Sequence, residues 1–268
     1  MIKKISALCL TLSLSLYASI DKHELDGLKV GALVVKDLNT KHILYSKEGD
    51  KRVSPASLTK VMTALLAIQS GKMNHTVTIT KEMTKVEPTI AGYKCGDIIL
   101  LSDLVKAAMI KSDNDAAKAI AITVGGDEEH FIAMMNTKAR QIGMSHTHFS
   151  NPCGYDGNDH YSSPNDLLKM TESAIKNPTF NAISKLNSHT YYALNKGKLK
   201  LFTAYTHNRL LNRYQYAVGV KTGFTNKAGA CLIARAKKDG RDCLIVMMNA
   251  KVDRWKTAKA IFEQVLES

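Results

Sequence analysis

Ser57 stands three residues before Lys60 in the run Ser57-Leu58-Thr59-Lys60. On a helix that spacing puts a hydroxyl and an amine on one face, within reach of each other. A serine hydroxyl is a weak nucleophile until a base takes its proton. A lysine can be that base only if burial or neighbouring positive charge lowers its pKa. A helix N-terminus adds free N–H groups and a positive dipole end, which favour developing negative charge. Alone the spacing is weak, because a helix cap followed by a surface lysine reads the same way. Two later runs add to it. Ser112-Asp113-Asn114 falls between two predicted helices, on a tight loop. There a hydroxyl can relay a proton, and an asparagine can bond a substrate amide or hold the lysine in place. The same three residue types are also ordinary caps and turns. Lys221-Thr222-Gly223 ends a predicted strand, where lysine and threonine can hold a carboxylate and glycine admits a substrate backbone close to the chain.

The elements that must position these groups are legible from periodicity. Ala32 to Val35 and His42 to Tyr45 read as a hairpin through Asp37-Leu38-Asn39-Thr40. Leu58 to Ser70 carries apolar residues at helical spacing and ends at Gly71. Helices are predicted from Ser102, over Asp115 to Val124, and over Asp127 to Ile142 with Phe131, Met135 and Ile142 facing the core. Ser163-Pro164, a cap followed by proline, opens a helix over Asn165 to Lys176. His189 to Leu194 and Leu199 to Tyr205 form a hairpin about Asn195-Lys196-Gly197. Ala217 to Lys221, Gly229 to Ala236 and Asp242 to Met248 read as strands, the last two joined at Asp239-Gly240. Arg254 to Leu266 closes the chain as an amphipathic helix. Strands at both ends around a helix-rich centre predict an α+β fold, with a mainly antiparallel sheet built from both chain ends and a helical lobe inserted. The groove between them is the natural place for a site.

The chain has 268 residues, enough for one large domain or two interleaved lobes. Its apolar fraction of 45% and charged fraction of 23% argue against disorder. Lys3 and Lys4 precede an apolar stretch, Ile5 to Leu16, and Leu16-Tyr17-Ala18 resembles a cleavage site. Residues 1–18 therefore read as a secretory signal peptide, and 19–268 as the exported domain, in a periplasm or cell-wall space. The formal net charge is +13, falling to +11 when the leader leaves. Basic residues are scattered and no nucleic-acid motif is present, so no nucleic-acid partner is expected; contact with membrane or wall polymers is at most peripheral. Cys95, Cys153, Cys231 and Cys243 remain after cleavage. Their pairing is open, with buried free thiols slightly favoured, and none has zinc-site spacing. No metal and no cofactor is expected.

In this order and these positions, Ser-x-x-Lys, Ser-Asp-Asn and Lys-Thr-Gly are the motif set of class A β-lactamases and penicillin-binding proteins. The chain resembles that superfamily throughout its mature length, and is more closely similar to the low-molecular-weight serine D-alanyl-D-alanine carboxypeptidases, peptidase family S11. The resemblance runs through Ser54-Pro55-Ala56-Ser57-Leu58-Thr59-Lys60-Val61-Met62-Thr63, Asn151-Pro152-Cys153-Gly154, His160-Tyr161-Ser162 and Gly219-Val220-Lys221-Thr222-Gly223-Phe224-Thr225. It implies a β-lactamase/transpeptidase-like fold with terminal helices and an inserted all-helical lobe. It also implies removal of the terminal D-alanine from peptidoglycan stem peptides through a Ser57 acyl-enzyme, with β-lactams as covalent inhibitors. Lys60 would be the general base, Ser112 a proton relay, and Asn114 would orient the peptide. Lys221, Thr222, Gly223 and Thr225 would bind substrate, together with an arginine that the sequence does not single out. The N–H groups of Ser57 and Phe224 would form the oxyanion hole. Asp113 stands where relatives often have glycine, and its side chain is expected to point away from substrate. The further β-domain and membrane stalk of many relatives are not expected here. Class A β-lactamase activity is the nearest rival reading, but none of Glu128, Glu129 and Glu172 is followed four positions later by the asparagine that family uses. Endopeptidase cleavage of cross-links and penicillin or muropeptide binding without turnover are also compatible with the same motifs.

Overall fold

The computed structural model describes residues 20–267; the predicted leader lies outside the described residues. A short helix α1 (Lys22–Asp26) leads into β1 (Val30–Asp37) and β2 (Ile43–Lys47), the expected hairpin. The Ser57 segment begins with a 3-10 turn, Ala56–Thr59, and only then becomes α2 (Lys60–Gln69). The nucleophile candidate thus lies on the tighter turn and not in the first α-helical turn. Two three-residue strands follow, β3 (Thr76–Thr78) and β4 (Ile98–Leu100), too short to leave a periodic signal. Next come α3 (Leu101–Ile110), α4 (Asn114–Gly125) and α5 (Glu128–Gln141). The predicted helix over Asn165 to Lys176 is α6 (Pro164–Ala174), and a further short helix, α7 (Pro178–Ser184), follows it. Both start alike: Ser163 and Asn177 accept from N–H groups of the first turn, and each is followed by proline.

The last third matches the strand expectations with longer elements: β5 (Ser188–Asn195), β6 (Lys198–Tyr205), β7 (Ala217–Thr225), β8 (Gly229–Lys238), β9 (Arg241–Ala250) and the closing helix α8 (Arg254–Leu266). Five strands from both chain ends form one antiparallel sheet in the order β2-β1-β9-β8-β7. Its central strands read as nearly unbroken apolar runs because both faces are covered. In β1, Ala32 and Val34 face the helical lobe while Leu33 and Val35 face the terminal helices. In β9, Leu244, Val246 and Met248 alternate in the same way with Cys243, Ile245 and Met247.

A second sheet, β3-β4-β5-β6, belongs to the lobe side. The inserted lobe is therefore not all-helical, which corrects the expectation in that respect. The four cysteines among the described residues are free, Cys95 exposed and the others buried. Cys243 pairs with Ala236 across β8–β9, which leaves it out of register with Cys231. Among the described residues no helix is long and apolar enough to cross a membrane.

Candidate active site

Ala56 holds φ at +48°, unusual for a residue with a side chain, and turns the chain sharply just before Ser57. The segment Asn151-Pro152-Cys153-Gly154 presses on that elbow from outside. A Cβ on Gly154 would stand 1.9 Å from Ala56 O, so only glycine fits. Asn151 Oδ1 accepts from the N–H groups of Cys153, Gly154 and Tyr155, at 3.2, 2.7 and 2.9 Å, and so shapes this loop. The turn it makes aims Cys153 C=O inward.

Lys60 is wholly buried, and its Nζ has three neighbours: Ser57 Oγ at 3.0 Å, Asn114 Oδ1 at 2.7 Å and Cys153 O at 2.7 Å. The amide and carbonyl oxygens can only accept. When Lys60 is neutral its two N–H bonds are therefore taken by Asn114 and Cys153, and its lone pair faces the Ser57 hydroxyl. Burial lowers the Lys60 pKa to about 8, against the raising influence of Cys153, Asp113 and Asp115. Asn114 is the first residue of α4, and its Nδ2 donates to Glu87 O at 2.8 Å. Both ends of its amide are thus engaged by protein, so it holds Lys60 in place.

Ser112 sits between α3 and α4 with φ +71°. Lys221, also buried, donates to Ser112 Oγ and to Thr222 O, each at 3.0 Å. Burial first, then the charges of Lys60 and Arg254, holds Lys221 well below its ordinary pKa. Lys-Thr-Gly lies inside β7, an edge strand, and not beyond its end. β7 runs against the Ser57 turn: a Cβ on Gly223 would come within 3.2 Å of Ser57 N. Thr225 Oγ1 is engaged with Asp156 Oδ1 at 2.8 Å and accepts from Ala228 N–H.

Asp113 is buried and absent from the groove lining. Lys111 Nζ lies 3.2 Å away but without an aligned hydrogen bond, and burial raises its carboxyl to about 6.

The groove opens on both sides of Ser57, with volumes of about 420 and 720 Å³. Ser57, Ser112 and Phe224 line both sides, Asn114 and Thr225 one, and Thr222 and Gly223 the other. The structure thus brings all nine sequence-selected residues together, with Lys60 and Lys221 beneath the lining.

Three contributors were not selected from sequence. Arg254, at the start of α8, lines the side holding Thr222 and donates to Gly223 O and Cys231 O, each at 2.8 Å. It reads as the polar face of a terminal helix, and nothing local marks it. The Cys153 carbonyl is invisible to reasoning by side-chain type. His160 is the third. Its Nδ1 accepts from Ser150 N–H at 3.0 Å, which leaves Nε2–H to donate to Thr59 Oγ1 at 2.9 Å. Thr59 Oγ1 in turn donates to Ala56 O at 2.8 Å. This chain braces the elbow from behind, and burial keeps His160 neutral, with a pKa lowered to about 4.

An antiparallel sheet from both chain ends, with Ser57 in the groove beside its edge strand, is the architecture of the DD-peptidases. The Streptomyces K15 DD-transpeptidase superposes with a TM-score of 0.85 at 30% identity, over 88% of this chain and 97% of that one. The chain belongs to the D-alanyl-D-alanine carboxypeptidase family, peptidase family S11, whose profile matches residues 20–252. It is a hydrolase of the serine D-Ala-D-Ala carboxypeptidase type. Among its relatives, D-alanyl-D-alanine carboxypeptidase DacF of Bacillus subtilis is 31% identical over 95% of this chain and 67% of its own length. A D-alanyl-D-alanine endopeptidase of Pseudomonas aeruginosa is 29% identical over 82% of this chain and 71% of that protein.

Proposed function

We propose that the protein is exported to a periplasm or cell-wall space, where it removes the terminal D-alanine from peptidoglycan stem peptides through an acyl-enzyme on Ser57. The observation that carries this reading is Lys60, buried and held by Asn114 and Cys153 with Ser57 Oγ at 3.0 Å. Neutral Lys60 takes the Ser57 proton as Oγ attacks the carbonyl of the penultimate D-alanine. The N–H groups of Ser57 and Phe224 stabilise the oxyanion, where one such donor is worth roughly 3–4 kcal/mol. The proton then passes from Lys60 through Ser112 to the departing D-alanine nitrogen as the C–N bond breaks. Lys221 polarises the Ser112 hydroxyl, and water hydrolyses the ester. Lys221 Nζ is turned under Ser112, so Thr222 and Arg254 receive the terminal carboxylate. A β-lactam acylates Ser57 in the same way, except that its leaving nitrogen stays tethered.

The test is D-alanine release from a diacyl-Lys-D-Ala-D-Ala peptide, compared with Ser57→Ala and with penicillin-treated protein. Release abolished in both controls is the expected result. Rapid penicillin hydrolysis without D-alanine release would replace this reading by a β-lactamase. A stable adduct with no release, but with cleavage of cross-linked muropeptides, would replace it by an endopeptidase.

A further inference from the structure

The β3-β4-β5-β6 sheet departs from the usual pattern of an antiparallel sheet with one wet face, in which polar side chains alternate outward. Its inner face is core: Val77, Ile99, Tyr191, Ala193, Phe202 and Ala204 are buried. Register fixes what lies opposite. Leu194 pairs with Leu199 and with Ile98, Tyr192 pairs with Leu201, and Thr76 pairs with Leu100. Ile98, Leu100, Tyr192, Leu194, Leu199 and Leu201 therefore share the outer face, and Tyr205 lies further along it. Leu199 is 69% exposed, Tyr192 58% and Leu201 55%. Ten large apolar side chains are exposed among the described residues, and these seven are concentrated on one face. The remaining outward positions of the register are serine and threonine, so the face carries no charge. A continuous apolar face of this kind marks a surface that something covers.

The charge around it indicates what. Lys196, exposed, forms the tip of the β5–β6 turn at the end of this face, while Lys198 pairs with Asn195 and so shares the other side of the register with Lys200 and Phe202. From Ser173 to Lys238 the chain contains twelve Lys and Arg residues and no Asp or Glu. A second copy meeting this face would offer Lys196 no carboxylate from that whole stretch. Edge addition by another strand is also discouraged, because Lys200 on the outermost strand turns inward and stands 4.4 Å over the Phe202 ring. Apolar side chains with tyrosines among them and a lysine at the turn suit the boundary between acyl chains and anionic headgroups. We propose that this outer sheet face docks the protein on an anionic phospholipid bilayer, with Leu194, Leu199 and Leu201 entering the interface and Lys196 meeting lipid phosphates.

The experiment is sedimentation of the purified protein with phosphatidylglycerol/phosphatidylethanolamine vesicles and, in parallel, with phosphatidylcholine vesicles. Binding is expected to the anionic vesicles and to be at least several-fold weaker to the neutral ones. Leu199→Ser/Leu201→Ser should lower the partition coefficient by roughly tenfold or more, and Lys196→Glu by several-fold. Raised salt should weaken binding of the parent protein more than that of the charge-reversed variant. All three positions are exposed, so unchanged melting temperatures will show that the variants fold. No binding to anionic vesicles, or binding that both variants retain, overturns the proposal. So does a concentration-dependent dimer that the leucine variant abolishes, which would assign the face to a second copy. None of these readouts depends on the peptidase reaction.

Discussion

As the proposed general base, Lys60 carries two opposed demands, since it must be buried for its pKa to fall and yet be held by polar partners to be tolerated there. Two fixed acceptors, Asn114 Oδ1 and Cys153 O, meet the second demand without adding a negative charge at contact distance. Its pKa, lowered to about 8 by burial, sets the direction of the pH dependence. Below that value the amine is protonated and cannot take the Ser57 proton; above it the lone pair is free. The acylation rate with penicillin should therefore rise with pH along a limb centred near 8, measured by stopped-flow at saturating pH steps. Asn114→Ala removes one acceptor of the ammonium, so the limb should move to lower pH and the rate at its plateau should fall. A limb that stays fixed while Asn114 is removed would mean that another group sets it.

The elements around Lys60 act through backbone geometry. The 3-10 turn carrying Ser57 is kept in place by three neighbours: β7, the Asn151–Gly154 loop and the His160–Thr59 bond. Glycine is required at the loop contact for two reasons. Gly154 has φ +93°, and its added Cβ would meet Ala56 O at 1.9 Å. Gly143 also has a positive φ, +76°, but nothing within 4 Å of an added Cβ. Gly143→Ala should therefore cost only about 1 kcal/mol of stability from backbone strain. Gly154→Ala should cost more than about 3 kcal/mol, and what folds should acylate slowly. Urea unfolding of the two variants makes the comparison, and equal losses would show that the loop yields easily. α6 and α7 are separated by Ile175, Lys176 and Asn177, and Asn177-Pro178 repeats the cap-and-proline start of α6. That signal is present in the sequence, yet the expected helix stops at Lys176 and the seven residues of α7 are too few to leave a periodic pattern of their own.

Across the whole molecule the five-stranded sheet divides the interior into two cores. The larger lies against the helical lobe and includes Leu58, Val61 and Met62 from the Ser57 segment. The smaller lies under α1 and α8, around Trp255, Ile261 and Phe262. A defect in the smaller core is separated from the groove by the sheet. Phe262→Ala should lower stability by about 3–5 kcal/mol, while the folded fraction acylates at the parent rate. Denaturant melts paired with penicillin acylation kinetics measure both, and a comparable fall in acylation rate would show that the two cores are coupled through β7 and β8. Arg254 is the exception to this separation. It opens the helix that Phe262 anchors, yet its guanidinium bonds Gly223 O on the groove side.

Much of this architecture is legible in local pattern. Alternation and helical spacing place β1, β8, β9, α2, α5 and α8 within a few residues, because each element's period depends only on neighbours in the chain. The residues of the three motifs are legible for the same reason, since side-chain type and spacing are covalent facts. What folding alone could decide is how those runs meet. The carbonyl of Cys153 lies 93 residues from Lys60, Arg254 lies 31 from Gly223, and Lys221 lies 109 from the Ser112 it bonds. None of these contacts leaves a trace in spacing, because the pairing is made by the sheet bringing distant strands side by side. The second sheet is hidden likewise: β3 and β4 are three residues each and gain their meaning from pairing with each other and with β5. Its bare apolar face is invisible in a sequence where those leucines, isoleucines and tyrosines read as one more stretch of core.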